Sequence, residues 1–196
     1  MDKELFKFYQ NAVKGDICSR GRDAWVMCGG DKEKLVALTL ARYAIPFFAT
    51  YCHDGRGLTK EHILRHYAHL INGNRVYHGC DGAGDDYTSE LYVGHKGTIT
   101  ATSDTLHLMW CERANVIVPQ TKCTTLFLSN NDNLSVSCMG YNNIILHLFD
   151  TSKATIVHGD ENTHIVAYLY SEQCELSKSD NCQKVTIRTK RRELEL

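Results

Sequence analysis

Leu126-Phe127-Leu128-Ser129-Asn130-Asn131-Asp132-Asn133-Leu134-Ser135-Val136-Ser137-Cys138 is the stretch that decides the fold. It holds two short runs of alternating apolar residues, split by turn formers, and it recurs. Counted by tens, Leu106, Val116, Leu126, Val136, Leu146, Ile156, Val166 and Leu176 make one apolar column. Two residues on, Leu108, Val118, Leu128, Cys138 and Leu148 make a second, which decays through His158 and Tyr168 to Lys178. Counted by twenties, like meets like: Leu106, Leu126, Leu146, Val166 in one series, and Val116, Val136, Ile156, Leu176 in the other. Apolar residues two apart, recurring at a longer fixed period, specify a repeated half-buried strand and turn.

Working outward, each decade closes on turn residues: Gly140-Tyr141-Asn142-Asn143, Asp150-Thr151-Ser152 and Gly159-Asp160-Glu161-Asn162. Asn, Asp, Gly and Ser tolerate left-handed backbone and bond their own main chain, so they end strands. Two folds place a strand every ten residues. An antiparallel β-sandwich of hairpins needs inward alternation only. A parallel β-helix also requires residue i to resemble residue i+20, because each coil lies roughly 4.8 Å above the last. The spacing of twenty favours the second. The expectation is an α+β protein in which a helical N-terminal region, residues 1–76, caps a single-stranded parallel β-helix. That β-solenoid, about 20 residues per coil, fills residues 87–196 after a linker at 77–86; an antiparallel sandwich is the alternative.

The N-terminal third reads as helical. Lys3 to Val13 carries Leu5, Phe6, Phe8, Tyr9 and Val13. A loop through Gly15, Gly21 and Gly29-Gly30 is predicted next, with Cys18 and Cys28 on it. Asp31 is a natural N-cap for a second helix running towards Ile45, where Pro46 disfavours continuation. Thr59 caps a third helix, with Ile63, Tyr67, Leu70 and Ile71 as its stripe and Asn72-Gly73 as its stop. A bare solenoid end exposes core and backbone, so the helical third is expected to cover the first coil.

Net charge is −1, from 22 basic and 23 acidic residues, so no overall field attracts nucleic acid or an anionic membrane. The basic run Lys184, Arg188, Lys190, Arg191, Arg192 is local and is followed by Glu193 and Glu195. No apolar run approaches the roughly 20 residues of a membrane span, and Met1-Asp2-Lys3-Glu4-Leu5 lacks the apolar core of a signal peptide. The cytoplasm is therefore the expected compartment. The 9 cysteines suit it as small buried hydrophobes. Their number is odd, Cys111, Cys123, Cys138, Cys174 and Cys182 fall in different columns, and none is spaced CxxC.

Candidate chemistry is sparse. His62, His66 and His69 recur at i, i+4 and i+7 along the third helix, and Cys52-His53 just upstream can complete a metal sphere. Ile63 stands where the HExxH motif needs its glutamate. The Asp81 to Asp86 loop alternates acids and glycines yet lacks the distal glutamate of an EF-hand, so it reads as a connector. Cys111, at a strand end beside Trp110, is a candidate nucleophile that needs a nearby base. On the predicted strand surface, His147, Phe149, Tyr168 and Tyr170 offer aromatic and polar contact area.

Leu70-Ile71-Asn72-Gly73, Tyr87-Thr88-Ser89-Glu90-Leu91-Tyr92-Val93, Leu108-Met109-Trp110-Cys111, Val118-Pro119-Gln120-Thr121-Lys122-Cys123, Tyr141-Asn142-Asn143, Leu148-Phe149-Asp150-Thr151-Ser152 and Glu193-Leu194-Glu195-Leu196 together span most of the chain. They resemble a family of uncharacterised proteins of prophages and mobile elements in gut Bacteroidetes bacteria. The resemblance implies a bacterial or phage setting and supplies no catalytic residues. The expected function is a non-enzymatic interaction or scaffold module that binds a protein partner, with self-association through the terminal coil as a variant and no cofactor. The alternatives are a metal- or cysteine-dependent hydrolase, and an inhibitor of a host defence protein.

Overall fold

The computed structural model describes residues 2–15, 17–39, 44–53, 55–66, 77–79, 89–101, 103–120, 123–159, 161–182 and 184–190. The helices are α1 (Lys3–Lys14), α2 (Ser19–Met27), α3 (Lys32–Thr39), α4 (Ile45–His53) and α5 (Lys60–His66). The strands are β1 (Tyr77–Gly79), β2 (Ser89–Val93), β3 (Gly97–Thr100), β4 (Thr105–Met109), β5 (Ala114–Val118) and β6 (Cys123–Ser129). They continue as β7 (Leu134–Cys138), β8 (Asn142–Phe149), β9 (Lys153–His158), β10 (Thr163–Leu169), β11 (Glu175–Lys178) and β12 (Val185–Thr189). Successive strands alternate between two sheets. The even sheet has the order β1-β2-β4-β6-β8-β10-β12 and the odd sheet β11-β9-β7-β5-β3.

Every pairing from β2 onward is parallel, which rules out the antiparallel sandwich. Leu106 stands beside Leu126 and Leu126 beside Leu146, while Val116, Val136 and Ile156 stack in the odd sheet. These side chains are fully buried and form one continuous core between the sheets. The chain is a β-solenoid, and its middle coils run at the twenty-residue period.

That period is not strict, and the departures correct the expected columns. The first coil is short: Ser89 pairs with Thr105 and Gly97 with Ala114, steps of 16 and 17 residues. Val157 is an extra residue in β9, since Val136 pairs with Ile156 but Ser137 with His158. Inward positions therefore fall on odd numbers in β10 and β12, while β11, one residue further out of step, returns to even ones. Ala167, not Val166, follows Leu146, and Leu176 pairs with Ala154 rather than with Ile156. The second apolar column decays at Tyr168 because the extra residue turned β10 over.

The corners also stack. Trp110, Asn130 and Asp150 adopt φ of 53°, 51° and 58°, and Arg113 and Asn133 both adopt 53°. Left-handed backbone suits Asn and Asp far better than most residues, which is why this corner reads Asn-Asn and Asp. Asn131 is buried there; its Oδ1 accepts from the Cys111 N–H at 2.7 Å and its Nδ2 donates to the Leu108 carbonyl at 2.9 Å. One amide side chain thus sews neighbouring coils together.

Three expectations about the N-terminal third need correcting. The loop predicted around Gly21 is helix α2, capped by Cys18, whose Sγ accepts from the Gly21 N–H at 3.4 Å. It has no apolar periodicity, because Trp25 alone anchors it in the core. The helix expected to run from Asp31 towards Ile45 is α3, Lys32–Thr39, and Pro46, expected to stop it, lies in the first turn of α4, where a missing N–H removes no helical bond. Tyr77–Gly79, assigned to a linker, form β1 and pair antiparallel with β2, covering that edge of the even sheet. Asp31 and Thr59 do cap α3 and α5, accepting from Glu33 at 3.0 Å and His62 at 3.2 Å. Tyr67, His69, Leu70 and the Asp81 to Asp86 loop lie outside the described residues.

The helical region covers the first coils from the flank. Even-numbered β4 residues enter the solenoid, while Leu91, Val93 and Met109 point outward into a second core with Phe8, Phe48, Leu58 and Ile63. All five β4 residues are consequently buried. Three such side chains contribute roughly 1.5–3 kcal/mol each by burial, so helices and solenoid share one apolar interface.

Candidate functional site

The outer face of the even sheet carries a ladder of rings. Parallel register sets His107, Phe127, His147 and Tyr168 side by side in one column, with Arg188 next. Ring centroids are 4.9 Å apart between His107 and Phe127, 4.7 Å between Phe127 and His147, and 5.2 Å between His147 and Tyr168. The planes are within 24° of parallel. Strand spacing of about 4.8 Å imposes this stacking, and each offset pair adds about 0.5–1.5 kcal/mol beyond its burial. A second column places Phe149 and Tyr170 4.6 Å apart. All four residues expected to form a binding surface, His147, Phe149, Tyr168 and Tyr170, therefore share one face.

Helix α4 covers part of this ladder. His53 lies over Phe149 at 5.2 Å, and its Nε2 is 3.4 Å from His107 Nδ1. His107 is fully enclosed, and burial pushes its imidazole down to about 3. Further along, the rings are half-buried. His147 is also held down, to about 4, by burial and then by Lys190. It is neutral at pH 7, and its Nδ1 shares a hydrogen bond of 2.9 Å with the Tyr170 hydroxyl. Cations close the strip at the last strand: Lys190 Nζ is 4.4 Å from the Tyr168 ring centroid and Arg188 Cζ 5.8 Å. The strip thus presents ring edges, neutral polar tips and a cationic end.

His107, Phe127 and His53 belong to the same face and were missed by sequence. The signal for the first two was present, since His107, Phe127 and His147 stand twenty apart; attention to inward columns hid it. Nothing local marks His53.

No family model, curated protein or solved structure matches this chain.

The histidine stripe behaves differently. His62 and His66 do meet on α5, with centroids 4.6 Å apart. Cys52 and His53 do not join them: Cys52 is buried with its thiol pushed up to about 12 by burial, and His53 faces the even sheet. The third member of the cluster is Asp2, from before α1, and among the described residues Asp2, His62 and His66 are the group of donors close enough to share a metal. No local spacing could reveal a partner sixty positions away. Cys111 is sealed inside the solenoid, its thiol directed at the Tyr92 and Met109 carbonyls and raised by burial to about 12. A thiolate nucleophile needs the opposite environment.

Proposed function

We infer that the protein is a non-enzymatic interaction module of a phage or mobile genetic element, acting in the cytoplasm on a protein partner. The ring ladder carries this reading. His147, Phe149, Tyr168 and Tyr170 are stacked before any partner arrives, so little side-chain freedom is lost on binding. Tyrosine and arginine at a preordered surface are the residues that dominate binding energy. The cationic end formed by Arg188 and Lys190 favours a partner with acidic groups at one side of an apolar strip. The compartment rests on the family resemblance. Among the described residues no helix is long and apolar enough to cross a membrane.

The test is capture of a partner from bacterial lysate by three forms of the chain: wild type, Tyr168→Ala/Tyr170→Ala, and Ser137→Ala on the outer face of the odd sheet. A partner bound by wild type and Ser137→Ala, and at least tenfold more weakly by the double variant, supports the reading. Equal binding by all three forms overturns it.

A further inference from the structure

Around the start of α1 the chain gathers a set of metal-type donors; one of them, Asp2, also caps the helix, its Oδ1 accepting from the Glu4 and Leu5 N–H groups at 3.0 and 3.2 Å. Helix α5 presents His62 and His66 one turn apart, on the same side. The first turn of α1 is drawn against them, the Thr59 hydroxyl donating to Glu4 Oε2 at 2.9 Å. His62 Nδ1 then lies 3.5 Å from Glu4 Oε2 and 3.9 Å from Asp2 Oδ1. Into the gap reaches Lys32 from α3. Its ammonium donates to His66 Nδ1 at 2.7 Å and lies 3.4 Å from Asp2 Oδ2. The donors already hold a cation.

We propose that Asp2, Glu4, His62 and His66 form a site for one divalent ion of the zinc class, which displaces the Lys32 ammonium and ties α1 to α5. Zinc bonds to nitrogen and oxygen of about 2.0–2.2 Å in a tetrahedron put ligand atoms about 3.4 Å apart. The two carboxylate distances from His62 are already within about half an ångström of that. The donor atoms of Asp2, His62 and His66 lie within 4.8 Å of one another, so the widest gap among these three closes by at most about 1.4 Å, and Glu4, outside that trio, swings in as the fourth ligand. Side-chain rotation supplies shifts of that size, and His66 is half-exposed.

An ammonium can only donate, so the Lys32 contact itself requires a neutral imidazole. Two imidazoles with two carboxylates select zinc, cobalt or nickel over magnesium and calcium. An open cleft of about 300 Å³ lined by Lys32, Glu33, Val36, Arg65 and His66 gives the ion a way in and the lysine a way out. The site is independent of the ring ladder, and it predicts a staple within the helical region.

Cobalt and zinc titrations of the full chain, carrying Cys18→Ser and Cys123→Ser to remove the thiols exposed among the described residues, test this. One equivalent of cobalt with tetrahedral visible absorption is expected, along with a zinc-dependent rise in Tm. His66→Gln should weaken zinc by at least tenfold. Lys32→Met should tighten it by about tenfold, because a like charge a few ångströms from the ion is gone. The two variants move affinity in opposite directions, which a merely destabilised fold cannot do; circular dichroism confirms that both are folded. No stoichiometric binding, a thiolate charge-transfer band, or equal affinity across wild type, His66→Gln and Lys32→Met overturns the proposal.

Discussion

The two halves of this molecule are held together by opposite strategies. In the solenoid each contact is made again one coil later: Leu on Leu, Val on Val, ring on ring. In the helical region nothing repeats. Phe8 alone meets Trp25 at 6.2 Å, Phe47 at 6.4 Å, Phe48 at 5.7 Å and Tyr51 at 5.9 Å. A repeated core tolerates loss of one rung because its neighbours remain paired. A single hub does not. The halves meet where β4 is buried on both faces and where His53 covers the head of the ladder, so that seam is where the comparison can be broken.

The largest effect is expected from acid, acting on that seam. His107 is native only as a neutral imidazole, with its value lowered from 6.5 to about 3 by burial. Below pH 6.5 the unfolded chain takes up a proton that the folded chain refuses until about pH 3. The stability contribution is therefore complete above pH 6.5 and is lost progressively on the way down to about 3. At about 1.4 kcal/mol per unit the ceiling is roughly 5 kcal/mol. Urea melts of wild type and His107→Phe between pH 7 and 4 measure it. The variant keeps a ring against Phe127 and should show a clearly flatter profile; parallel profiles would mean that the seam does not sense pH.

Next comes the hub. Phe8→Ala should cost about 3–5 kcal/mol, and loss of helical ellipticity should precede loss of the β signal on heating. Leu146→Ala, in the middle of the solenoid, should cost about 2–5 kcal/mol, with the value towards the lower end because Leu126 and Ala167 can close partly over the gap. If Leu146→Ala proved the costlier change, a stacked core would be the less tolerant of the two.

What the sequence showed tracks this division. The period, the inward Leu106, Leu126 and Leu146, and the gathering of His147, Phe149, Tyr168 and Tyr170 were legible because a parallel coil writes its contacts at fixed separations. Val157 was not: one extra residue leaves composition unchanged and alters only parity. Helix α2 was hidden because one buried residue, Trp25, makes no stripe. The meeting of Asp2 with His62 depends on how α1 crosses α5, which is tertiary. The flank-on packing of the helices was visible only in hindsight, through odd-numbered Leu91, Val93 and Met109, apolar where an exposed sheet face calls for polar residues.

The smallest effect isolates the corner that both halves share. Asn130 holds φ of 51° in the repeat, and Trp110 holds 53° one coil earlier, where it packs half-buried against the helical core. Asn130→Gly and Asn130→Ala both lose the side chain's bonds to Ser129, Asp150 and Thr151. They differ only in that alanine must enter the left-handed region and glycine need not. The alanine variant should therefore be less stable than the glycine variant by about 1 kcal/mol. At Trp110 the same glycine relieves about 1 kcal/mol of backbone cost but removes an indole from the seam, whose burial is worth about 2 kcal/mol or more. Trp110→Gly should thus cost more than Asn130→Gly, which loses only those side-chain bonds at the surface of the corner. Chemical melts of the three variants decide it. A Trp110→Gly chain as stable as wild type would show that the indole sits in a strained corner without holding the helices to the solenoid.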